Sequence, residues 1–450
     1  MKQIYVSIIT AIILSSELFA QNYLSLEQSI RLAMENNVES KNSKLETEAA
    51  AQTRKAAFTN YFPDVSAGGM IWTSKENLME IENHGGNLPV YDGNKANLKN
   101  ATQYAYLPSS TIGMMKNGTV GYVNIVQPVF AGGRIINGNR LASLGREVAE
   151  KKESIVSNEV VLETWQHYWQ VVSLDEKYLT VKKYEELLQR LLLQSENAYS
   201  SGLIMKNDVL KVKLKLSEIQ LNLSKINSGR KLSKMAFCRH LGIEYDSSIV
   251  LNDKLEISEL PAKYFVDKDV ALLKRNEYSM LEKCVEAAEL NTSIKYGEYL
   301  PQVAVGLSGM YMKFDQNDSR NIGLAFGTVS IPVSGWWGGS HEIQESNIKE
   351  QIARNNFEDT KKLLLLQMEK SWQDLNDSYK QYLLSMDAKT QAEENLKVNE
   401  DSFKNGLITV SDLLEAQALQ QQAEEQYTDA KSNYKMKVID YLIVTGRNAE

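Results

Sequence analysis

Proline, histidine and cysteine are scarce: the 450-residue chain contains 7, 4 and 2 of them. Because a proline inside a helix removes a hydrogen bond and clashes with the preceding turn, its scarcity permits long uninterrupted helices. Cys238 and Cys284 cannot form a disulfide framework; they either pair once in an oxidising compartment or remain two separate buried thiols. The histidines are far apart and lack the spacing of metal ligands, so no metal site is predicted.

An excess of positive charge is also missing. Lys plus Arg total 50 and Asp plus Glu total 57, which gives a net charge of −7 and argues against nucleic acid as a partner. The chain has no G-x-S-x-G motif, and a charged helix face is usually just solvated. We therefore predict neither an enzyme nor a bound cofactor.

The N-terminus has the pattern of a secretory signal peptide. Lys2 precedes an apolar run at residues 4–14 that is too short to span a bilayer, and cleavage is predicted after Ala20. Residue 21 is glutamine rather than cysteine, so no lipid anchor is expected there. No later run of about 18 apolar residues is readable, so the exported chain is either free in its compartment or enters a membrane by other means.

Four pairs of anchors recur at one offset of 204 residues, which indicates an internal repeat. The pairs are Pro128 and Pro332, Gly202 and Gly406, Asp208 and Asp412, and Gly242 and Gly446. Pro63 and Pro301 match at an offset of 238 instead, so the first copy holds an insertion, which we predict to be a long loop at residues 74–116. The predicted divisions are a signal peptide at 1–20, a first repeat at 21–265 and a second repeat at 266–450.

Each copy has one predicted order: a helix, two short strands, a long helix, a tight turn and a returning helix. Ser25 and Gln28 form a predicted capping box before the first helix, which should run to about residue 60. The long helices keep near-heptad apolar spacing over roughly 90 Å, as coiled-coil packing requires. Gly202 and Gly406 should end them in the left-handed conformation. The long helices are predicted at residues 139–200 and 343–403, and the strands at 65–73, 119–126, 303–311 and 322–326.

Gly132 and Gly133 follow the first pair of strands and raise the alternative of a phosphate-binding loop. The segment has neither the P-loop pattern nor the three glycines of a dinucleotide site. In the second copy, Trp336 and Trp337 stand where a phosphate cradle would need a cation. We therefore predict joints at which proline stops the strand and glycines allow the bend into the helix. The joint residues are Pro128, Gly132, Gly133, Pro332, Gly338 and Gly339.

Four strands per chain cannot close a barrel, since the smallest membrane barrels have eight. An open sheet would leave unpaired edges and an apolar surface, and three chains supplying twelve strands would remove both. The pattern therefore suggests an outer-membrane barrel joined to a bundle of long helices. Aromatic residues near the strand ends are placed as the girdles of such a barrel, or else they are ordinary core residues: Tyr61, Phe62, Tyr122, Phe130, Tyr299, Trp336 and Trp337.

Over essentially the whole mature chain, the sequence resembles the TolC-type outer-membrane efflux protein family. The segments that carry the resemblance are residues 26–37, Tyr61-Phe62-Pro63, Tyr299-Leu300-Pro301, residues 128–134, Gly202-Leu203, Gly406-Leu407 and His240-Leu241-Gly242. Their order, duplication and spacing are together specific. The resemblance implies a mainly α homotrimer with a coiled-coil α-helical tunnel and a transmembrane 12-stranded β-barrel, four strands per chain.

The resemblance also implies a location, a route and partners. The barrel would lie in outer-membrane lipid, and the tunnel would extend into the periplasm. Its tips, at Gly202, Leu203, Gly406 and Leu407, would dock onto a periplasmic adaptor protein joined to an inner-membrane pump, and the chain would be a passive duct. Two alternatives stay open: a channel for type I protein secretion, and an exported coiled-coil scaffold without a pore.

Asp412 and Glu415 lie three residues apart, so they share one face of the second returning helix. As helix-start carboxylates they are favoured by the helix dipole, which is a sufficient structural reason for both. The resemblance places the family's entrance aspartates here, where threefold symmetry would form stacked acidic rings that select cations and bind divalent ions. Asp208 is the first-copy counterpart, but Lys211 follows it in place of a second carboxylate.

The second hairpin departs from the family in one respect. Members of the family hold the mouth shut partly with a tyrosine and an arginine, whereas this chain has Phe403 and Ile408 at the aligned positions. Neither side chain can donate a hydrogen bond. A closed mouth would therefore depend on other contacts.

Overall fold

The computed structural model describes residues 23–257, 259–315 and 319–447. The signal peptide predicted at residues 1–20 lies outside them. The described helices are α1 (Leu26–Asn36), α2 (Val38–Thr59), α3 (Arg134–Ser200), α4 (Lys206–Leu241), α5 (Lys268–Leu272), α6 (Asn276–Glu298), α7 (Trp336–Lys404) and α8 (Val410–Val444). The described strands are β1 (Tyr23–Leu24), β2 (Asp64–Thr73), β3 (Met79–Asn83), β4 (Gly86–Pro89), β5 (Tyr104–Leu107), β6 (Ser110–Met114), β7 (Asn117–Phe130), β8 (Val250–Leu251), β9 (Gln302–Phe314) and β10 (Arg320–Ser330). Short 3₁₀ helices occupy Lys95–Asn100, Pro261–Tyr264 and Val333–Gly335.

The first helix begins at the predicted capping box. The Ser25 hydroxyl accepts a hydrogen bond from the Gln28 nitrogen at 3.2 Å, and the Gln28 side chain accepts one from the Ser25 nitrogen at 3.0 Å. The prediction of one continuous helix was wrong, because Asn37 has a non-helical ψ of 137°. Its side-chain nitrogen donates to the His240 carbonyl oxygen at 2.9 Å, and its side-chain oxygen accepts from the Glu39 nitrogen at 2.8 Å. A tertiary partner thus stabilises the break between α1 and α2.

The four long helices that form the two hairpins all end in one motif. Each is followed by a glycine with positive φ: 74° at Gly202, 67° at Gly242, 73° at Gly406 and 71° at Gly446. At each end, the glycine nitrogen donates to the carbonyl three residues earlier, and the next nitrogen donates to the carbonyl five residues before itself. This pair of bonds defines the Schellman motif, so the left-handed ends predicted at Gly202 and Gly406 are confirmed.

The chain divides into two compact units. Among the described residues, the first unit contains those up to Ala51, those within Leu144–Glu286 and those from Ile352, and the second contains those within Gln52–Ser143 and Ala287–Gln351. Each unit thus draws on both halves of the sequence. The predicted repeats at 21–265 and 266–450 describe duplication in the sequence, which the compact units do not test. The division into repeats therefore stays a prediction.

Several apolar clusters hold the helices of the first unit together, and two of them join α3 to α4. In one, Tyr168 and Trp169 of α3 pack with Phe237 of α4, and the Tyr168 hydroxyl donates to an Asp253 carboxylate oxygen at 2.8 Å. The other lies in the hairpins and joins α3, α4 and α8. Its buried members are Val181, Tyr184, Leu188, Leu191, Val212, Ile219, Val410 and Leu413. The apolar periodicity of the long helices therefore corresponds to buried packing in both clusters.

The second unit contains an antiparallel four-stranded sheet in the order β10-β9-β7-β2. The prediction of four strands that belong together is thus confirmed. Leu307 lies opposite Ile125 on one side and Ala325 on the other, whereas Leu324 lies opposite Ser308. Because directly opposed residues share a face, Leu307 and Leu324 lie on different faces of the sheet. In the described chain, β2 and β10 are the two edges.

The insertion at residues 74–116 is not the structureless loop that the sequence predicts. It forms two ribbons, one from β3 and β6 and the other from β4 and β5. Met79 and Ile81 lie opposite Met114 and Ile112, so one face of the first ribbon is apolar. Some of the asparagines and glycines that suggest a loop lie inside the strands, among them Asn83 in β3, Asn87 in β4 and Gly113 in β6.

The two cysteines differ from both of the alternatives expected from the sequence. Cys238 is buried in α4, but Cys284 is exposed in α6, and both are free. The pair is therefore neither a disulfide nor two buried thiols.

Gly406→Ala should destabilise the second hairpin by about 1 kcal/mol, because an alanine at positive φ is strained while nothing lies within 4 Å of its Cβ. Gly145→Ala is the matched control: it lies inside α3 with equally open space and should stabilise the protein by about 0.5–1 kcal/mol. Thermal unfolding of the purified variants measures both. Equal effects of the two substitutions would contradict the helix-end role.

Candidate functional site

The two hairpin tips present equivalent corners. Each long helix stops, a glycine reverses the chain, and the next residue is an exposed leucine: Leu203 is 77% exposed and Leu407 is 76% exposed. A side chain added at Gly202 or Gly406 would meet nothing within 4 Å. The four tip residues predicted from the sequence thus form two open, apolar corners that leave room for a partner.

The carboxylate of Asp412 caps the start of α8. The Thr409 nitrogen donates to Asp412 Oδ2 at 2.8 Å and the Thr409 hydroxyl donates to the same oxygen at 2.7 Å. The Asp412 nitrogen donates back to the Thr409 hydroxyl at 3.3 Å, which completes a capping box. The hydroxyl bond, the backbone bond and the nearby Lys211 ammonium hold the pKa of Asp412 below its ordinary value.

The neighbouring carboxylates have different surroundings. Glu415 lies on the next turn of α8 and is exposed, as Asp412 is. Asp208 is half-buried in the first turn of α4 and lies 3.6 Å from the Lys211 ammonium. The site therefore contains two solvent-exposed carboxylates from one hairpin and one neutralised carboxylate from the other.

Lys211 connects the two hairpins, which the sequence did not reveal. Its ammonium donates to the Ser411 hydroxyl at 2.7 Å, so it links the start of α4 to the start of α8. The sequence shows only that Lys211 replaces a carboxylate of the repeat. Its contact across the hairpins depends on tertiary packing, which spacing along the chain cannot show.

Phe403 and Ile408 are partly buried against the apolar cluster of the hairpins. They pack with the α3, α4 and α8 side chains instead of offering hydrogen bonds at the tip. In this chain the two aligned positions therefore attach the second tip to the first by apolar contact.

Three buried polar groups in the hairpins have no hydrogen-bond partner among the described residues: Tyr184 Oη, Ser195 Oγ and Gln417 Oε1. Burial, followed by the charge of Glu218, raises the pKa of Tyr184 to about 12. Each such group costs about 1–3 kcal/mol relative to its hydrated state. No sequence signal marks these atoms.

The two predicted joints differ. Gly132 and Gly133 have positive φ and directly precede α3, and a Cβ on Gly132 would overlap the Gly297 carbonyl. In the second joint, Gly338 and Gly339 lie within the first turn of α7, and the bend falls on the 3₁₀ turn after Pro332. The prediction that proline stops the strand was wrong at the first joint, because β7 continues past Pro128 to Phe130, whereas β10 ends at Ser330, before Pro332.

A metal centre and a membrane-spanning helix would be other kinds of site. Within residues 23–257, 259–315 and 319–447, no cluster of His, Cys, Asp and Glu is arranged to hold a metal ion. Over the same residues, no helix combines the length and apolarity needed to cross a bilayer.

Comparison with known proteins gives one family and several solved folds. Residues 269–440 match the family model described as outer membrane efflux protein. The outer membrane protein VceC from Vibrio cholerae is 15% identical, with a TM-score of 0.73 over 94% of this chain and 97% of that chain. The Campylobacter jejuni CmeC outer membrane channel is 14% identical, with a TM-score of 0.76 over 94% and 87%. The open state of the Neisseria gonorrhoeae MtrE outer membrane channel is 12% identical, with a TM-score of 0.75 over 94% and 89%.

No curated protein matches the chain. The similar structures are channels, which is consistent with the expectation that this chain is not an enzyme. The expected place in the outer membrane agrees with the description of the matched family. The resemblance read from the sequence is thus confirmed: residues 269–440 match the outer membrane efflux protein family, and the chain has the fold of outer-membrane channels of that type.

Proposed function

We propose that the chain forms a homotrimeric channel of a tripartite efflux system, which carries substrates passively from an inner-membrane pump across the periplasm and the outer membrane. The family match and the fold support an outer membrane efflux channel. The observation that carries the finer proposal is the second hairpin tip, where Asp412 and Glu415 remain exposed directly after an apolar corner. Repeated around a threefold axis, these carboxylates form acidic rings at the inner mouth.

The apolar corners fit a periplasmic adaptor protein as the docking partner. Leu203 and Met205 on one tip, and Leu407 on the other, expose most of their surface. Exposed apolar side chains at two equivalent turns are typical of a protein contact rather than of a solvated loop end. The adaptor would then connect the tips to the pump, which supplies the energy.

The double variant Asp412→Ala, Glu415→Ala should raise the Ca²⁺ concentration for half-block of the channel by about tenfold and reduce its cation selectivity, because rings of carboxylates attract divalent ions. Single-channel conductance of the detergent-purified protein in a planar bilayer, with and without Ca²⁺, measures both quantities. The matched control is Glu35→Ala, Glu48→Ala, which removes two exposed carboxylates from α1 and α2.

Two outcomes would contradict the proposal at different levels. Equal Ca²⁺ block in both double variants would contradict the proposed acidic mouth but not the proposed channel. If the protein is soluble without detergent and shows no conductance at any voltage, the proposed channel is contradicted and a scaffold without a pore is favoured.

Thr409→Val should move the pH at which cation selectivity is lost upward, toward the ordinary pKa of 3.8 for Asp412, because the hydroxyl that lowers this pKa is gone. In the unchanged protein the charge of Asp412, and the capping contribution that depends on it, persist at neutral pH and are lost only as pH falls through the lowered pKa. Reversal potentials between pH 7 and pH 3 give the measurement. Thr390→Val, whose hydroxyl bonds only within α7, should leave the profile unchanged.

A further inference from the structure

A cavity of about 390 Å³ lies where the four-stranded sheet meets the start of α3. Three strands contribute to its lining. Ser330 of β10 lies opposite Gln302 of β9, and Thr328 and Pro128 both lie opposite Ala304. Because directly opposed residues share a face, these five lining residues belong to one face of the sheet. Residues at the end of β7 and the start of α3 complete the lining.

Arg134 supplies the charge of this cavity. It is the first residue of α3 and directly follows the two left-handed glycines of the first joint. Its stem passes beside Gly297, where a Cβ would lie 2.8 Å from Arg134 Cγ. Its Nε donates to the Ala131 carbonyl oxygen at 3.2 Å. The close approach of Gly132 to Gly297 therefore makes room for the stem, and the Ala131 carbonyl orients the guanidinium.

The guanidinium keeps two nitrogens for a ligand. Within the part of the chain that the structure describes, Arg134 has no ion pair, and Nη1 and Nη2 have no hydrogen-bond partner. The side chains of Gln302, Thr328 and Ser330 line the same cavity, and none of them has a hydrogen-bond partner among the described residues. No aspartate or glutamate is among the described lining residues. Because arginine stays charged at all physiological pH, the cavity offers donors and positive charge to an anion.

Apolar side chains lie beside the guanidinium. Phe130, Ile135 and Val303 line the same cavity, and 46% of the Phe130 surface is exposed. A planar guanidinium binds a carboxylate through two parallel hydrogen bonds, and a ring attached to that carboxylate would contact the apolar residues. An inorganic ion would leave the apolar part of the cavity unused. The lining therefore fits an aromatic organic anion better than a bare oxyanion.

The face of the sheet that bears the cavity carries polar side chains next to the helices. Ser66, Asn124 and Ser308 lie on this face, and the Ser308 hydroxyl donates to Asn124 Oδ1 at 2.6 Å. Ile125 and Leu307 lie opposite each other on the other face. In membrane barrels the apolar face meets lipid and the polar face lines the interior. In the proposed channel, the cavity therefore opens toward the duct.

We propose that this cavity binds a small aromatic carboxylate. Arg134 pairs with the carboxylate, and the hydroxyls of Thr328 and Ser330 donate further hydrogen bonds to it. Phe130 packs against the ring. The ligand is held by side chains rather than by a glycine loop, and at the repeat offset of 204 the position of Arg134 corresponds to Gly338, so the chain has one such arginine. This inference rests on the proposed function only for the route by which the anion arrives.

Binding of para-fluorobenzoate to the detergent-solubilised full chain, followed by fluorine NMR, tests the site. Arg134→Gln should weaken binding about tenfold, because the charged hydrogen bonds are lost. Arg140→Gln removes the same charge from an exposed position of α3 outside the cavity, and should leave binding unchanged. Thr328→Val, at an exposed position of β10, should weaken binding about two- to fivefold without a change in charge.

A neutral probe and the conductance of the same preparation complete the test. The amide para-fluorobenzamide has nearly the same shape and should bind about tenfold more weakly than the carboxylate. Equal binding of the two probes, or equal losses in the Arg134→Gln and Arg140→Gln variants, would overturn the site. If Arg134→Gln fails to fold, Thr328→Val and the two probes still decide. A conducting protein without this binding would contradict the site alone, and specific binding without conductance would contradict the proposed channel alone.

Discussion

Left-handed glycines at equivalent helix ends are the constraint on which the arrangement of the hairpins depends. Gly202 and Gly406 end helices of 67 and 69 residues, and Gly242 and Gly446 end the returning helices. One residue added to only one of these helices would shift everything beyond it by about 1.5 Å and rotate it by about 100°. The equal spacing of the anchors in the two copies is therefore required by the packing of the helices. It keeps the apolar side of each helix against its neighbours and preserves the position of one tip relative to the other.

A single chain satisfies this constraint but cannot complete its own packing. The hairpins leave Leu210, Leu214 and Leu221 of α4 and Leu384 of α7 exposed, and the sheet leaves β2 and β10 as edges. Unpaired strand edges and exposed leucine stripes are both unfavourable in an isolated chain. In the proposed homotrimer, neighbouring copies would supply partners for the exposed helix sides and for the strand edges.

Local signals made much of the fold predictable from the sequence. The capping box at Ser25, the tip glycines and the alternating strands depend on residues within a few positions of each other, and these expectations agree with the structure. The helix break at Asn37 was missed because its partner, His240, is about 200 residues away in sequence. The ribbons of the insertion were missed because the segment is rich in asparagine and glycine, and the apolar alternation at Met79 and Ile81 is too short to indicate a strand.

The sequence predicted which residues make up the candidate site but not the contacts that they make. Spacing placed Asp412 and Glu415 on one face, yet only the structure places Lys211 against Ser411 and shows Phe403 in the apolar cluster. These contacts join residues about 200 positions apart or depend on which side of a helix faces its neighbour. A single amino-acid sequence contains no direct information about either kind of contact.

The two readings of Asp412, as a helix cap and as a channel carboxylate, support each other. Capping uses Oδ2 and leaves Oδ1 outside both Thr409 bonds, so the carboxylate is held in one orientation while it stays ionised and exposed. A fixed carboxylate loses less conformational entropy on binding an ion than a mobile one does. Glu415 has no such restraint, and Lys211 offsets part of the negative charge nearby. In the proposed ring, Asp412 therefore supplies a preorganised ligand and Glu415 an adaptable one, and the balance between them sets how tightly a divalent ion closes the mouth.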